Sequence, residues 1–189
     1  MSSLSIRRAT VRDVPALLAL IRGLAEYERL VHLMDATPGR LRRHGFGPRR
    51  YFEALLCRRA GRPIGLALYY FGYSTFLGRP TLYLEDIFVV PAERGQGAGL
   101  ALLRAVARVA AARGCGRLEW TVLDWNTPAI RFYKRLGARL HREWILTRLV
   151  GAPLKRLARA GAAGRPRPRR GRRRAGRARA RARERSGSR

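Results

Sequence analysis

Arg94, Gly95, Gln96, Gly97, Ala98 and Gly99 set three glycines at alternate positions behind an arginine. They stand where a strand-like apolar run ends and a helix-like one, with Leu100, Leu103 and Val106 on one side, begins. Glycine has no Cβ, so backbone N–H groups there approach a ligand closely. The start of a helix adds unpaired N–H donors and the positive end of its dipole. Together these suit phosphate or pyrophosphate. The stretch is not a Walker loop, because no Gly-Lys-Ser/Thr follows. Nor is it a dinucleotide fingerprint, since Gly95, Gly97 and Gly99 lack the G-x-G-x-x-G spacing. A flexible turn at a helix entry is the structural alternative.

Upstream, "TLYLEDIFVV" (81–90) is the strongest strand of the chain, long and rich in β-branched and aromatic residues. Two acids interrupt it. Period-two alternation puts Glu85 on the face of Ile87 and Val89, and Asp86 on the opposite face unless a bulge shifts the phase.

The elements that must hold these groups follow from periodicity. "LSIRR" (4–8) alternates as a short strand, and Thr10 and Asp13 precede a helical repeat at Leu17, Leu20, Ile21 and Leu24. A looser region follows around Pro38, Gly39, Gly45, Gly47 and Pro48. "YFEALLCRRAG" leads through Gly61-Arg62-Pro63 to "IGLALYYFGY". After the glycine loop come a helix over 99–113 and a strand over 117–123. Thr127, Pro128 and Gly137 bound a short helix over 128–136. "ARLHREWILTRLV" closes as a strand or strand pair. The order β-α-(α)-β-β-α-β-α-β is a mixed α/β fold.

The chain has 189 residues with 41 Lys and Arg against 12 Asp and Glu, a net charge of +29. From Lys155 onward sixteen basic residues face only Glu184, so +15 lies there and +14 remains for residues 1–154. That organisation predicts a domain over 1–152 and an Arg-rich, disordered tail over 153–189. Such a tail binds polyanions, nucleic acid included, with little sequence preference. A solvated tail without a partner is the bland alternative. Cys57 and Cys115 make no disulfide framework, and His32, His44 and His141 have no metal-ligand spacing, so no metal is expected. "MSSLSIRRAT" lacks the apolar segment of a signal peptide, and no run approaches the roughly 20 apolar residues of a membrane span. The expectation is a soluble, cytoplasmic protein without membrane contact.

Seven pieces in order, "IRRAT" (6–10), "LAEYE" (24–28), "GFG" (45–47), "LYYFGY" (68–73), "LYLEDIFV" (82–89), "RGQGAG" (94–99) and "DWNTPAIRFYKRLGA" (124–138), carry a resemblance over residues 1–150. The chain resembles the GNAT acetyltransferase superfamily, within it the diamine (spermidine/spermine) and thialysine acetyltransferase group. The resemblance implies a mixed, mainly antiparallel sheet with splayed central strands flanked by helices. It also implies acetyl-CoA as cosubstrate. Backbone groups of Ile87, Phe88 and Val89 would receive the pantetheine arm. Arg94, Gly95, Gln96, Gly97, Ala98, Gly99 and Leu100 would hold the pyrophosphate, with Asn126, Thr127, Pro128, Ala129 and Tyr133 completing the cofactor site. Tyr27, Glu28, Glu85, Glu119, Trp120 and Thr121 match positions that contact the acceptor. Tyr133 matches a tyrosine general acid and Glu85 is the expected base. Homodimers are common in the group, so a homodimer is expected.

This chemistry suits the residues. An acceptor ammonium, with pKa about 10.4, must lose a proton before it attacks a thioester. The departing thiolate must gain one. The acceptor itself is less clearly a polyamine. The loop after the first helix reads "MDATPGRLRRHGFG", with Arg40, Arg42, Arg43 and His44 where carboxylates would hold a polycation, and Ser74 and Phe76 depart as well. A core of +14 repels spermine, whereas arginines pair a carboxylate. The expected acceptor is a primary amine of a small molecule, whether an amino acid, a thialysine-like compound or a polyamine, with the amino acid favoured over the polyamine. Two alternatives are a protein amine and a nucleic-acid-associated role in which the domain is subordinate to the tail.

Overall fold

The computed structural model describes residues 3–160. Contacts divide the chain into two units, Met1–Gly137 and Ala138–Arg189.

In the first unit five strands, β1 (Leu4–Arg8), β2 (Glu53–Arg59), β3 (Arg62–Ser74), β4 (Arg79–Val89) and β5 (Leu118–Glu119), form one sheet in the order β1-β2-β3-β4-β5. All neighbours are antiparallel except β4 and β5. Helix α3 (Ala98–Ala112) carries the chain between those two, the kind of crossover that a parallel pair requires. The pairing is short. Only Leu82 with Leu118 and Tyr83 with Glu119 make rungs, so β4 runs on to Val89 without β5 beside it. The strand expected over 117–123 therefore shrinks to two residues, because residues 120–123 have no rung to make.

Helix α1 (Val14–Tyr27) covers one face of the sheet and α3 the other. Leu17 and Leu20 of α1 pack with Ala54, Leu56, Leu66, Leu68 and Phe88. Leu102 and Val106 of α3 pack with Leu55, Cys57, Ala67, Tyr69, Leu82 and Leu84. Burial on both faces explains why β2 shows no alternation: Ala54, Leu55, Leu56 and Cys57 are all buried. Three antiparallel strands thus lie between α1 and α3, where the sequence order has two. The looser region also holds helix α2 (Pro38–Phe46), started by Pro38 and by Thr37, whose hydroxyl accepts the Arg40 N–H at 3.2 Å. Helix α4 (Thr127–Arg135) forms, one residue earlier than expected, with Asn126 rather than Thr127 as its cap.

In the second unit, the strand expected over 138–150 is absent. Those residues pair with no strand, and Trp144 and Ile145 are 76% and 84% exposed. A strand exists only by pairing, so alternation alone does not make one. Helix α5 (Gly151–Ala160) follows, so the boundary expected after residue 152 falls inside a helix. The rest of the expected tail, 161–189, lies outside the described residues. Among those described, no helix is long and apolar enough to cross a membrane.

The start of α1 is held by Asp13, 5% exposed. Its carboxylate accepts two bonds from Arg7 at 2.7 Å, one from Arg58 at 3.1 Å and the Thr10 N–H at 2.8 Å. The bond from Arg7, foremost, holds the Asp13 carboxyl well below the usual carboxylate range. A depressed folded pKa contributes stability that is present above the unfolded value, near 4, and fades as pH falls below it. Asp13→Asn should cost about 2 kcal/mol at pH 7, less than a fully buried pair because Arg7 stays half exposed. Urea unfolding should show that deficit narrowing between pH 4 and pH 2 (roughly the titration range of a salt-bridged Asp). A deficit independent of pH would assign the loss to packing.

Candidate acyl-transfer site

One extra residue in β4 shapes the site. Leu68 of β3 lies opposite Asp86, and the next residue, Tyr69, opposite Leu84, so Glu85 has no partner. Such a bulge inverts the alternation of side chains beyond it. The packing shows the inversion. Leu82 and Leu84 before the bulge, and Ile87 and Val89 after it, all join the cluster of α3, whereas Phe88 joins that of α1. Glu85 therefore does not share a face with Ile87 and Val89, contrary to simple alternation. Asp86 is turned to the α1 side with Phe88. The bulge carries two successive acids to the side of the sheet where α1 ends in Tyr27 and Glu28.

The electrostatics follow from that placement. Asp86 is half-buried, and burial first, then the charges of Glu85 and Glu28, pushes its carboxyl up to about 7. Burial also raises Glu28. Tyr133 is raised to about 12, by burial and then by Glu28. It stays a neutral phenol at physiological pH, able to donate a proton. Glu85 is exposed at the mouth and, after burial, is the next cause that raises the Tyr70 hydroxyl. Glu28, Glu85, Asp86 and Tyr133 thus share one electrostatic neighbourhood.

Aromatic contacts fix its walls. The Tyr133 ring stands 5.0 Å from Trp120 and 5.4 Å from Phe132. Tyr70 and Tyr83 stack at 5.2 Å, and the Tyr83 hydroxyl donates to Thr121 Oγ1 at 3.4 Å. The Tyr27 hydroxyl donates to Asn126 Oδ1 at 3.1 Å, and the same oxygen caps α4 by accepting the Ala129 N–H at 3.4 Å. Thr127 donates to the Trp125 carbonyl, and Pro128 sits in the first turn of α4. Glu119 is not part of the acidic cluster, because Arg117 Nε pairs it at 2.7 Å.

The glycine loop leaves β4 through a 3-10 turn, Pro91–Glu93. Gly95 and Gly97 have φ of +74° and +83°, the left-handed region, and a Cβ on either would meet nothing within 4 Å. Glycine is needed there for conformation, and the space above the backbone is open. Gly97 starts α3 without any side-chain cap, so the first amides of the helix, at Ala98, Gly99 and Leu100, are left for a ligand. Arg94 donates to the Val89 carbonyl at 2.9 Å and lies over the Tyr27 ring at 4.4 Å; Gln96 reaches back to the Ala92 carbonyl. A bare helix start, two left-handed glycines and a fixed arginine fit the pyrophosphate of acetyl-CoA. The edge of β4 beyond Tyr83, which β5 leaves open, fits an extended pantetheine arm at Ile87, Phe88 and Val89.

Asp86, Tyr70 and Tyr83 join the site, although the sequence ranks Asp86 below Glu85. The usable signal was the pair Glu85-Asp86 inside an otherwise apolar strand, a costly arrangement unless the backbone turns both toward one polar site.

Residues 19–138 match the acetyltransferase (GNAT) family. The chain is 40% identical over 169 residues to the thialysine N-epsilon-acetyltransferase of Mus musculus, covering 84% of this chain and 99% of that protein. It is 33% identical to an L-ornithine N5-acetyltransferase of Arabidopsis thaliana, over 80% and 86%. Among solved structures, an integron cassette protein from the mobile metagenome of V. cholerae superposes with a TM-score of 0.70 at 28% identity, over 84% of this chain and 98% of that one.

A carboxyl raised to about 7 binds its proton more tightly folded than unfolded, so it costs stability as pH rises from about 4 to about 7. Asp86→Asn should therefore stabilise the protein by more than about 1 kcal/mol at pH 8 and leave it nearly unchanged at pH 4. Thermal unfolding at the two values checks this. Equal shifts at both would place Asp86 in an ordinary, solvated setting.

Proposed function

The chain belongs to the acetyltransferase (GNAT) family, and from that premise we propose that it transfers the acetyl group of acetyl-CoA directly to the side-chain amine of a small amino acid. The observation that carries the proposal is the acidic cluster of Glu28, Glu85 and Asp86 beside the neutral phenol of Tyr133. The thioester supplies an activated acetyl group. What remains is to bind an ammonium, remove its proton and protonate the departing sulfur. Three carboxyls hold the ammonium, with Tyr70 and Tyr83 as walls. Glu85 or Asp86 takes the proton. Tyr133 donates to the sulfur.

The same cluster explains why one amine is enough. Burial keeps Asp86 partly protonated near neutrality, so the site is suited to a single positive charge rather than to a long polycation. Arg40 is already paired with Asp35, which leaves Arg42 and Arg43 of α2 for an acceptor carboxylate. The names of the mouse and Arabidopsis relatives, which specify side-chain amines of amino acids, support this acceptor class. Trp144, Ile145, Leu146 and Val150, exposed in the second unit, support a homodimer in which a second copy covers them. Polyanion contact through the tail rests on charge alone.

Thiol release with the full chain tests the reading. The kcat/KM for thialysine or ornithine should exceed that for spermine at moderate salt by about tenfold, the sum of several exposed charge pairs that a polyamine lacks here. Tyr133→Phe should lower kcat by about 100-fold with little change in CoA binding. Equal or better turnover of spermine would return the acceptor to the polyamines, and a Tyr133→Phe variant at full rate would remove the tyrosine from the chemistry.

A further inference from the structure

Glu93 is the sole acid between Ile87 and Ala112, and it stands directly before the loop 94–99. A carboxylate there opposes the binding of a pyrophosphate. The fold answers that charge from a distant strand. Arg59, the last residue of β2, donates from Nε to Glu93 Oε2 at 2.7 Å, and both side chains are largely covered, 17% and 16% exposed. The hydrogen bonds of Arg94 and Gln96 are local: the Arg94 N–H to the Pro91 carbonyl, the Arg94 side chain to the Val89 carbonyl, and the Gln96 side chain to the Ala92 carbonyl. Cys57 is buried beside the pair, and after burial its thiol feels Arg59 and Glu93 in opposite directions.

We propose that Arg59 neutralises the Glu93 carboxylate beside the glycine loop, so that Arg59 sets the affinity for CoA without touching the reaction. This rests on the reading of loop 94–99 as the pyrophosphate site. The two halves of the pair then have unequal effects. Removing Arg59 leaves a poorly solvated negative charge one residue from the loop, and that charge repels phosphate. Removing the Glu93 charge leaves a cation near the phosphates, which attracts them. A strap that acts only by holding the backbone would be weakened equally from either side.

The test measures CoA binding by calorimetry, and the KM for acetyl-CoA and kcat with the best amine, on the full chain. Arg59→Met should raise both the Kd for CoA and the KM by about tenfold at low salt, with kcat within about twofold, and the penalty should shrink at about 0.5 M salt as the carboxylate is screened. Glu93→Gln should bind CoA as well as the unaltered protein or more tightly. The double variant Arg59→Met with Glu93→Gln should recover most of the lost affinity. Arg59→Lys, which keeps the charge, should stay near the unaltered protein and keeps the test open if Arg59→Met folds poorly. Equal losses from Arg59→Met and Glu93→Gln without recovery in the double variant would overturn the proposal, as would a loss in Arg59→Lys as large as in Arg59→Met. If the unaltered protein itself bound no CoA, the assignment of the loop would fail instead.

Discussion

A single unpaired residue in β4 governs the arrangement of the site. Were β3 and β4 in unbroken register from Gly65 to Ser74, Glu85 and Asp86 would project to opposite faces, one of them into the apolar layer beneath α3. The slip opposite Leu68 and Tyr69 prevents that. It lets Leu82, Leu84, Ile87 and Val89 all serve the α3 core while both acids face the end of α1. Bulges commonly re-aim side chains next to active sites, and here the re-aimed groups are the acids an amine needs.

The bulge also lies just past the point at which β4 parts from β5. Pairing stops at Tyr83 and Glu119, two residues before Glu85. The chain thus opens its sheet edge for a ligand and turns its acids within the same short stretch. Because the first amides of α3 lie at the far end of that open edge, one extended molecule can meet the loop with its phosphates and the acids with its reactive end. The raised carboxyl of Asp86 is the cost, a local loss of stability at the candidate site.

Several basic side chains are tied up in holding the framework. Although the chain is strongly basic, the arginines nearest the framework are committed: Arg7 and Arg58 to Asp13, Arg59 to Glu93, Arg117 to Glu119. Much of the acid content outside the site is thereby spent on holding elements. What was legible in the sequence follows from what is local. The glycine loop, the short helix opened by Pro128 and the apolar stripe of α1 each depend on neighbours within a few residues, so they could be seen, although the cap of α4 falls to Asn126 rather than Thr127. The bulge depends on the register between two strands, and no glycine or proline marks it. The strand character of β2 was hidden because both its faces are buried. Residues 138–150 have strand-like alternation but no strand beside them to make it a strand.

The central claim is that Glu28, Glu85 and Asp86 form one acidic cluster, in which the charges of Glu85 and Glu28 add to burial in raising the Asp86 carboxyl. Carbon-13 NMR of aspartate and glutamate carboxyls in the free protein measures this directly. The Asp86 resonance should titrate near 7, and Glu85→Gln and Glu28→Gln should each move that midpoint down. An Asp86 carboxyl that titrates near 4, indifferent to both substitutions, would contradict the account.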